Sequence, residues 1–174
     1  MKHIVMLTGS PHPHGASHQL ADACMKGAAE NGHDIYRFDA GLEADKVQFL
    51  KLDAAERTII SDDYIHREVL PRLQQADVVV FAASLYYFGM NAQLKAVIDR
   101  FYEINHELKD GKACVTLLAG YGQGEDIRLL VEHFAIIRRY LRWKDAGQVI
   151  AEDSWNARKL QQHIQEAYEI GKAI

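Results

Sequence analysis

The chain of 174 residues predicts a doubly wound α/β fold: a three-layer α/β/α sandwich around a five-stranded parallel sheet in the order 2-1-3-4-5. Three observations carry this. Short apolar runs alternate with helix-spaced segments along the whole sequence. The runs are nearly continuous in apolar residues, as strands buried on both faces are. There are five of them, which suits this order better than the longer dinucleotide-binding one. One domain over 1–174 is expected, with an extended excursion at about 41–66.

The first run is HIVMLT (3–8). From Ser17 to Ala29, Leu20, Ala21, Cys24, Met25 and Ala28 recur at helix spacing, and Gly32 stops that helix. HDIYRFDA (33–40) alternates and carries β-formers. The excursion GLEADKVQFLKLDAAERTIISDDYIH (41–66) breaks the rhythm. Its Phe49, Leu50, Leu52, Ile59, Ile60 and Ile65 predict a packed segment with a short helix or two, or a lid or dimer contact. ADVVVFAAS (76–84) is the strongest strand signal. Asn91 is placed to cap a helix whose stripe is Leu94, Val97, Ile98, Phe101 and Ile104. KACVTLLAG (112–120) is the fourth strand. A helix over 125–142 points Leu129, Leu130, Phe134, Ile137 and Leu141 inward. AGQVIA (146–151) is the fifth strand, and a last helix starts near Asn156.

Composition narrows the function. The net charge is −4 and no polybasic run occurs, which argues against nucleic acid. No apolar run is long enough for a bilayer, and the first residues read as a strand rather than a signal peptide, so a cytoplasmic protein is expected. The two cysteines, Cys24 and Cys114, form no paired motif; buried side chains and no metal centre are expected.

In a doubly wound sheet, ligands bind beyond the carboxyl ends of the strands where the order reverses. Three loops meet there. TGSPHPHGASHQL (8–20) holds two of the three prolines and three of the nine histidines. It leads from a strand into a helix N-terminus, where free N–H groups and the helix dipole favour an anion. Gly9 and Gly15 allow close approach, Ser10 and Ser17 can donate hydroxyls, and no carboxylate precedes Asp22. The Gly-Lys-Ser/Thr ending of a triphosphate loop is absent. In SLYYFGMN (84–91), Tyr86, Tyr87 and Phe88 are consecutive and cannot share one face of a strand, so at least one should line the crevice. AGYGQGED (119–126) is a poor match to a dinucleotide fingerprint; it reads as a rim loop whose Tyr121 can flank a ring system.

These segments resemble the flavodoxin-like, NADPH-dependent FMN reductase family, which includes the flavin part of iron–sulfur flavoproteins. The match is good over the first 40 residues and over 76–104, weaker over 112–155, and poor over 41–66. The resemblance implies a phosphate held by Ser10, His12, the Ala16 backbone and Ser17, with His14 and His18 adding positive charge. His12 stands where the family has arginine and Ala16 where it has asparagine. Leu85, Tyr86, Tyr87, Phe88 and Gly89 correspond to the segment around the isoalloxazine edge, with Gly120 and Tyr121 beside it. The family's prolines in this stretch are Ser84 and Asn91 here. No cysteine group follows the second strand, so a cluster-free flavoprotein is implied. The implied activity is FMN-dependent electron transfer from NAD(P)H to a quinone, a nitro or azo compound, or a flavin, in a homodimer. The flavin carries that chemistry, so no catalytic side chain is assigned. An electron carrier without NAD(P)H oxidation, or a non-catalytic module with weak FMN binding, are the alternatives.

Overall fold

Both faces of the sheet are covered by helices in the computed structural model, which describes residues 1–55, 57–58 and 62–174. In chain order the elements are β1 (His3–Thr8), α1 (Ala16–Ala29), β2 (Asp34–Asp39), α2 (Leu70–Gln75), β3 (Val78–Tyr86), β4 (Gly89–Met90), α3 (Ala92–Asp99), α4 (Asn105–Leu108), β5 (Ala113–Ala119), α5 (Glu125–Leu141), β6 (Lys144–Ala151) and α6 (Ala157–Ala173). The sheet runs β2-β1-β3-β5-β6, with every neighbouring pair parallel. This is the predicted order. The sixth strand is the two-residue β4, which folds back antiparallel on the end of β3.

Strand periodicity divides the core in two. Ile4, Met6, Val78, Val80, Val115, Leu117 and Val149 meet α1 and α6 through Leu20, Ala21, Cys24, Leu160 and Ala167. Val5, Leu7, Val79, Phe81 and Leu118 point the other way, onto Leu70, Leu73, Leu94, Val97, Leu130 and Phe134. Each such aliphatic or aromatic side chain contributes about 1.5–3 kcal/mol when removed from water. On the first face α1 and α6 nearly touch. A Cβ at Gly27 would overlap the Tyr168 carbonyl, and one at Gly171 would overlap the carbonyl of Cys24.

Local details depart from the expectations. Leu129 is exposed. The buried stripe of α5 is Ile127, Leu130, Phe134 and Leu141, and Leu129 sits about 100° off it. Asn91 occupies the N-cap position of α3 but makes no capping bond. Its Nδ2 donates instead to the Gly9 carbonyl and, at 3.0 Å, to Gln93. β6 starts two residues before the predicted strand, at the polar Lys144, and a bulge opposite Cys114 and Val115 shifts its register.

Within the excursion there is a short 3-10 turn, Ala44–Lys46, and an isolated antiparallel bridge between Leu52 and Thr58. Ile65 is buried, but Phe49 and Leu52 are exposed. Ile59 and Ile60 lie outside the described residues. Polar contacts from a buried arginine hold the segment. Arg100, just after α3, donates to the Gln48 carbonyl at 3.1 Å and to Asp63 at 2.8 Å. A π-helical turn, Ile65–Val69, then leads into α2.

Candidate functional site

The loops after β1, β3 and β5 converge on one cavity of about 610 Å³, within the usual range for small-ligand sites. The first loop contributes Ser10, His12, Gly15 and Ala16. The second contributes Ser84, Leu85, Tyr86, Tyr87 and Phe88, and the third Gly120, Tyr121, Gly122 and Asp126. Ala119 at the end of β5 and Ser154 beyond β6 complete the lining.

The first loop leaves the sheet late. Gly9 N–H still donates to Ala82 of β3 at 3.0 Å. A Cβ at Gly9 would overlap the Asn91 side-chain amide, so only glycine lets that amide clasp the loop. Ser17 and Ser84 hydroxyls, 2.8 Å apart, tie the start of α1 to the end of β3. Gly15 is the N-cap of α1 and supplies no side-chain acceptor, and no acidic residue stands in the first turn. The 14-residue helix thus presents an uncapped positive end to the cavity. The Ser10 hydroxyl oxygen accepts the His12 N–H at 3.1 Å, which leaves its proton free to donate.

The second loop is a tight hairpin. Tyr86 pairs with Gly89 and Leu85 with Met90, leaving Tyr87 and Phe88 as a two-residue turn. Both have positive φ, 44° and 65°, as a type I′ turn demands. Such turns favour Asn-Gly; two aromatic residues here carry about 1–2 kcal/mol each of backbone strain. The strain sets Tyr87, 99% exposed, and the half-exposed Phe88 at the rim. Replacing the pair with Tyr87→Asn and Phe88→Gly is expected to stabilise the protein by about 1–2 kcal/mol in urea unfolding.

The third loop is closed around its own acid. A Cβ at Gly122 would overlap Asp126. Gly124, at φ 52°, donates its N–H to Glu152 at 2.8 Å. Glu125 and Asp126 occupy the first turn of α5, so the positive end of this helix is already answered by carboxylates. Of these two helix ends at the cavity, that of α1 is the one left open to an anion.

Most of the expected residues come together. Ser10, His12, Ala16, Leu85, Tyr86, Tyr87, Phe88, Gly120 and Tyr121 line the cavity. His14, Ser17 and Gly89 do not. His14 is exposed, Ser17 is buried against Ser84, and Gly89 lies in β4 behind the turn. His18 departs from its expected role, because its ring is buried beneath the loop rather than turned to the cavity. Gly122 and Asp126 also line the cavity, from the loop expected at the rim but not singled out there, and Ser154 lies outside all three expected loops. Burial pushes both thiols, Cys24 and Cys114, up to about 12, so neither is a thiolate near neutral pH.

A family model described as flavodoxin-like fold matches residues 2–170. The chain belongs to the flavodoxin-like family. An iron–sulfur flavoprotein of Archaeoglobus fulgidus is 25% identical to this flavodoxin-like chain over 131 residues, 71% of the chain. The match spans 57% of that relative's length. Among solved structures, the NAD(P)H:quinone oxidoreductase of Methanothermobacter marburgensis superposes with a TM-score of 0.75 at 16% identity, covering 98% of this chain and 94% of that one. An FMN-dependent NADH-azoreductase of Bacillus anthracis, in complex with FMN, gives 0.72 at 16% identity and 97% of each chain. At these identities the two structures share the flavodoxin-like fold. No helix among the described residues is long and apolar enough to cross a membrane.

Proposed function

We propose that this flavodoxin-like chain is an FMN-dependent oxidoreductase that passes electrons from NAD(P)H to a small acceptor: a quinone, a nitro or azo compound, or a flavin. One observation carries the reading. An uncapped helix end and an aromatic hairpin face the same 610 Å³ cavity, which suits a ligand with an anionic tail and a flat ring. The names of the similar proteins, a flavoprotein and two flavin- or quinone-linked reductases, point the same way.

In this reading the Ser10 hydroxyl, His12 and the N–H groups of Ala16 and Ser17 hold the phosphate. Leu85, Tyr86, Tyr87, Phe88, Gly120 and Tyr121 flank the ring. Bound FMN supplies the redox chemistry, and the chain binds, orients and shields it. The exposed rings of Tyr87, Phe88 and Tyr121 are apolar surface that a second copy of the chain would cover in a homodimer. Sedimentation of the purified protein tests that part. A cytoplasmic location belongs to the same proposal.

The visible spectrum of the purified protein, after FMN is added and again after NADPH, tests the main claim. Flavin bands that bleach support it. Bands that persist under NADPH make the chain an electron carrier instead, and no bound flavin at all overturns the proposal. His12→Ala is expected to weaken FMN binding about three- to tenfold, the loss of one hydrogen bond to the phosphate. His12→Arg is expected to match or exceed the parent, as a permanent cation with a forked donor set.

A further inference from the structure

Beneath the anion-facing loop lies a buried polar chain. His18, in the first turns of α1, is 1% exposed. Its Nε2 is 3.0 Å from the Ser10 carbonyl oxygen, and its Nδ1 is 2.6 Å from an Arg37 terminal nitrogen on β2. A guanidinium nitrogen can only donate. Nδ1 therefore accepts, the ring proton sits on Nε2, and Nε2–H donates to Ser10. The opposite tautomer would set N–H against N–H at Arg37 and lone pair against lone pair at Ser10.

Arg37 is itself anchored. Its Nε donates to Asp39 at 2.7 Å and a terminal nitrogen to Asp22 at 2.5 Å. Burial works against its charge, but the bonds to these carboxylates outweigh that and hold its pKa above the ordinary value. Asp39 also accepts the Thr8 hydroxyl at 2.6 Å and lies 3.5 Å from His18 Nδ1. On the far side, Gly41 packs so closely on Ser10 that a Cβ there would overlap its carbonyl.

Ser10 precedes Pro11, so the peptide between them has no N–H. Its one polar backbone atom is an acceptor, which would repel a phosphate oxygen if it faced the cavity. We propose that His18 is the positioning residue of the anion cradle: a neutral imidazole, protonated on Nε2, that holds the Ser10 carbonyl inward and leaves only donors facing the phosphate. This rests on the FMN reading above.

The test pairs a direct with a functional readout. Nitrogen NMR of histidine-labelled protein near neutral pH, assigned by the signal lost in His18→Gln, is expected to show the Nε2–H tautomer. An Nδ1–H tautomer or an imidazolium overturns the proposal. Flavin fluorescence titrations then compare FMN with riboflavin, which lacks the phosphate. His18→Leu is expected to lose about tenfold or more in FMN affinity and less than about twofold for riboflavin. His18→Gln is expected to stay within about threefold of the parent for both, because its amide can donate to Ser10 and accept from Arg37. Equal losses for both flavins in His18→Leu would mean a packing role only, and overturn the proposal.

If the parent binds neither flavin, the FMN reading fails and inorganic phosphate decides this one. Shifts of the loop amides in the parent and His18→Gln, but not in His18→Leu, support it; no shifts in the parent overturn it. Should His18→Leu fail to fold, Arg37→Met removes the tautomer-setting donor and is expected to show the same phosphate-selective loss. Losses equal for the two flavins overturn the proposal there too.

Discussion

Arg100→Met is expected to lower the unfolding free energy by about 3–5 kcal/mol in urea titrations near neutral pH. Arg100 is 1% exposed and the Glu103 side chain is fully buried, at 0%. The guanidinium joins Glu103, Asp63 and the Gln48 carbonyl, and His66 Nδ1 lies 3.1 Å from the second Glu103 oxygen. Methionine fills much of the same volume but leaves a buried carboxylate without its cation, which is where the large loss comes from. A control separates this from packing. Adding Glu103→Leu and Asp63→Asn to Arg100→Met is expected to recover much of the loss, since removing every charge of such a group is far less damaging than removing one.

The same cluster gives an acid limb. Burial raises the Asp63 carboxyl, but hydrogen bonds from Arg100 and from the His66 N–H, with the nearby positive charge, hold it below the usual carboxylate range. A carboxyl depressed by folding contributes stability above its unfolded pKa of about 3.9, and that stability is lost as pH falls through the lower folded value. Arg100→Met removes the Arg100 part of that depression and leaves the backbone N–H of His66 in place. The variant is expected to begin acid unfolding at a higher pH than the parent, followed by circular dichroism.

With FMN bound as proposed, Gly41→Ala is expected to lower its affinity by about tenfold or more, and the protein's stability by about 1–3 kcal/mol, measured by flavin titration and urea unfolding. The methyl group would overlap backbone atoms of Ser10 and Gly9, not the flexible end of a side chain. Backbone must therefore move, and it is the backbone that shapes the anion end of the cavity. Gly32→Ala is the useful contrast. A Cβ there meets nothing, so its φ of 70° brings strain at the surface with no effect on flavin binding.

The sheet was legible because its signal is local. Strands such as HIVMLT and ADVVVFAAS are apolar on both faces, and that pattern survives any detail of packing. Strand order followed from their number. The place of the first loop was legible for the same reason: its glycine, proline and serine between a strand and a helix mark where the chain leaves the sheet, and the structure puts that loop on the cavity. What escaped depends on partners distant in sequence. His18 looked like spare positive charge until Arg37 and Ser10 were seen on either side of its ring. Asn91 looked like a cap, but the Gly9 carbonyl claimed its amide. At least one ring of the aromatic triplet was expected in the crevice and all three residues line it, yet the I′ turn that sets them there breaks the usual Asn-Gly preference and could not be read from composition. In the excursion, the apolar residues suggested a packed segment, a lid or a dimer contact; Ile65 is buried, Phe49 is exposed, and an arginine from after α3, which no local pattern announces, holds the segment.

The close seam between α1 and α6 ties the cavity to a distant part of the chain. Gly27 and Gly171 let the two helices meet backbone to backbone. The helix whose first turn faces the cavity is therefore braced by residues from far along the sequence, and a side chain at position 171 would displace the backbone of α1 without touching a lining residue.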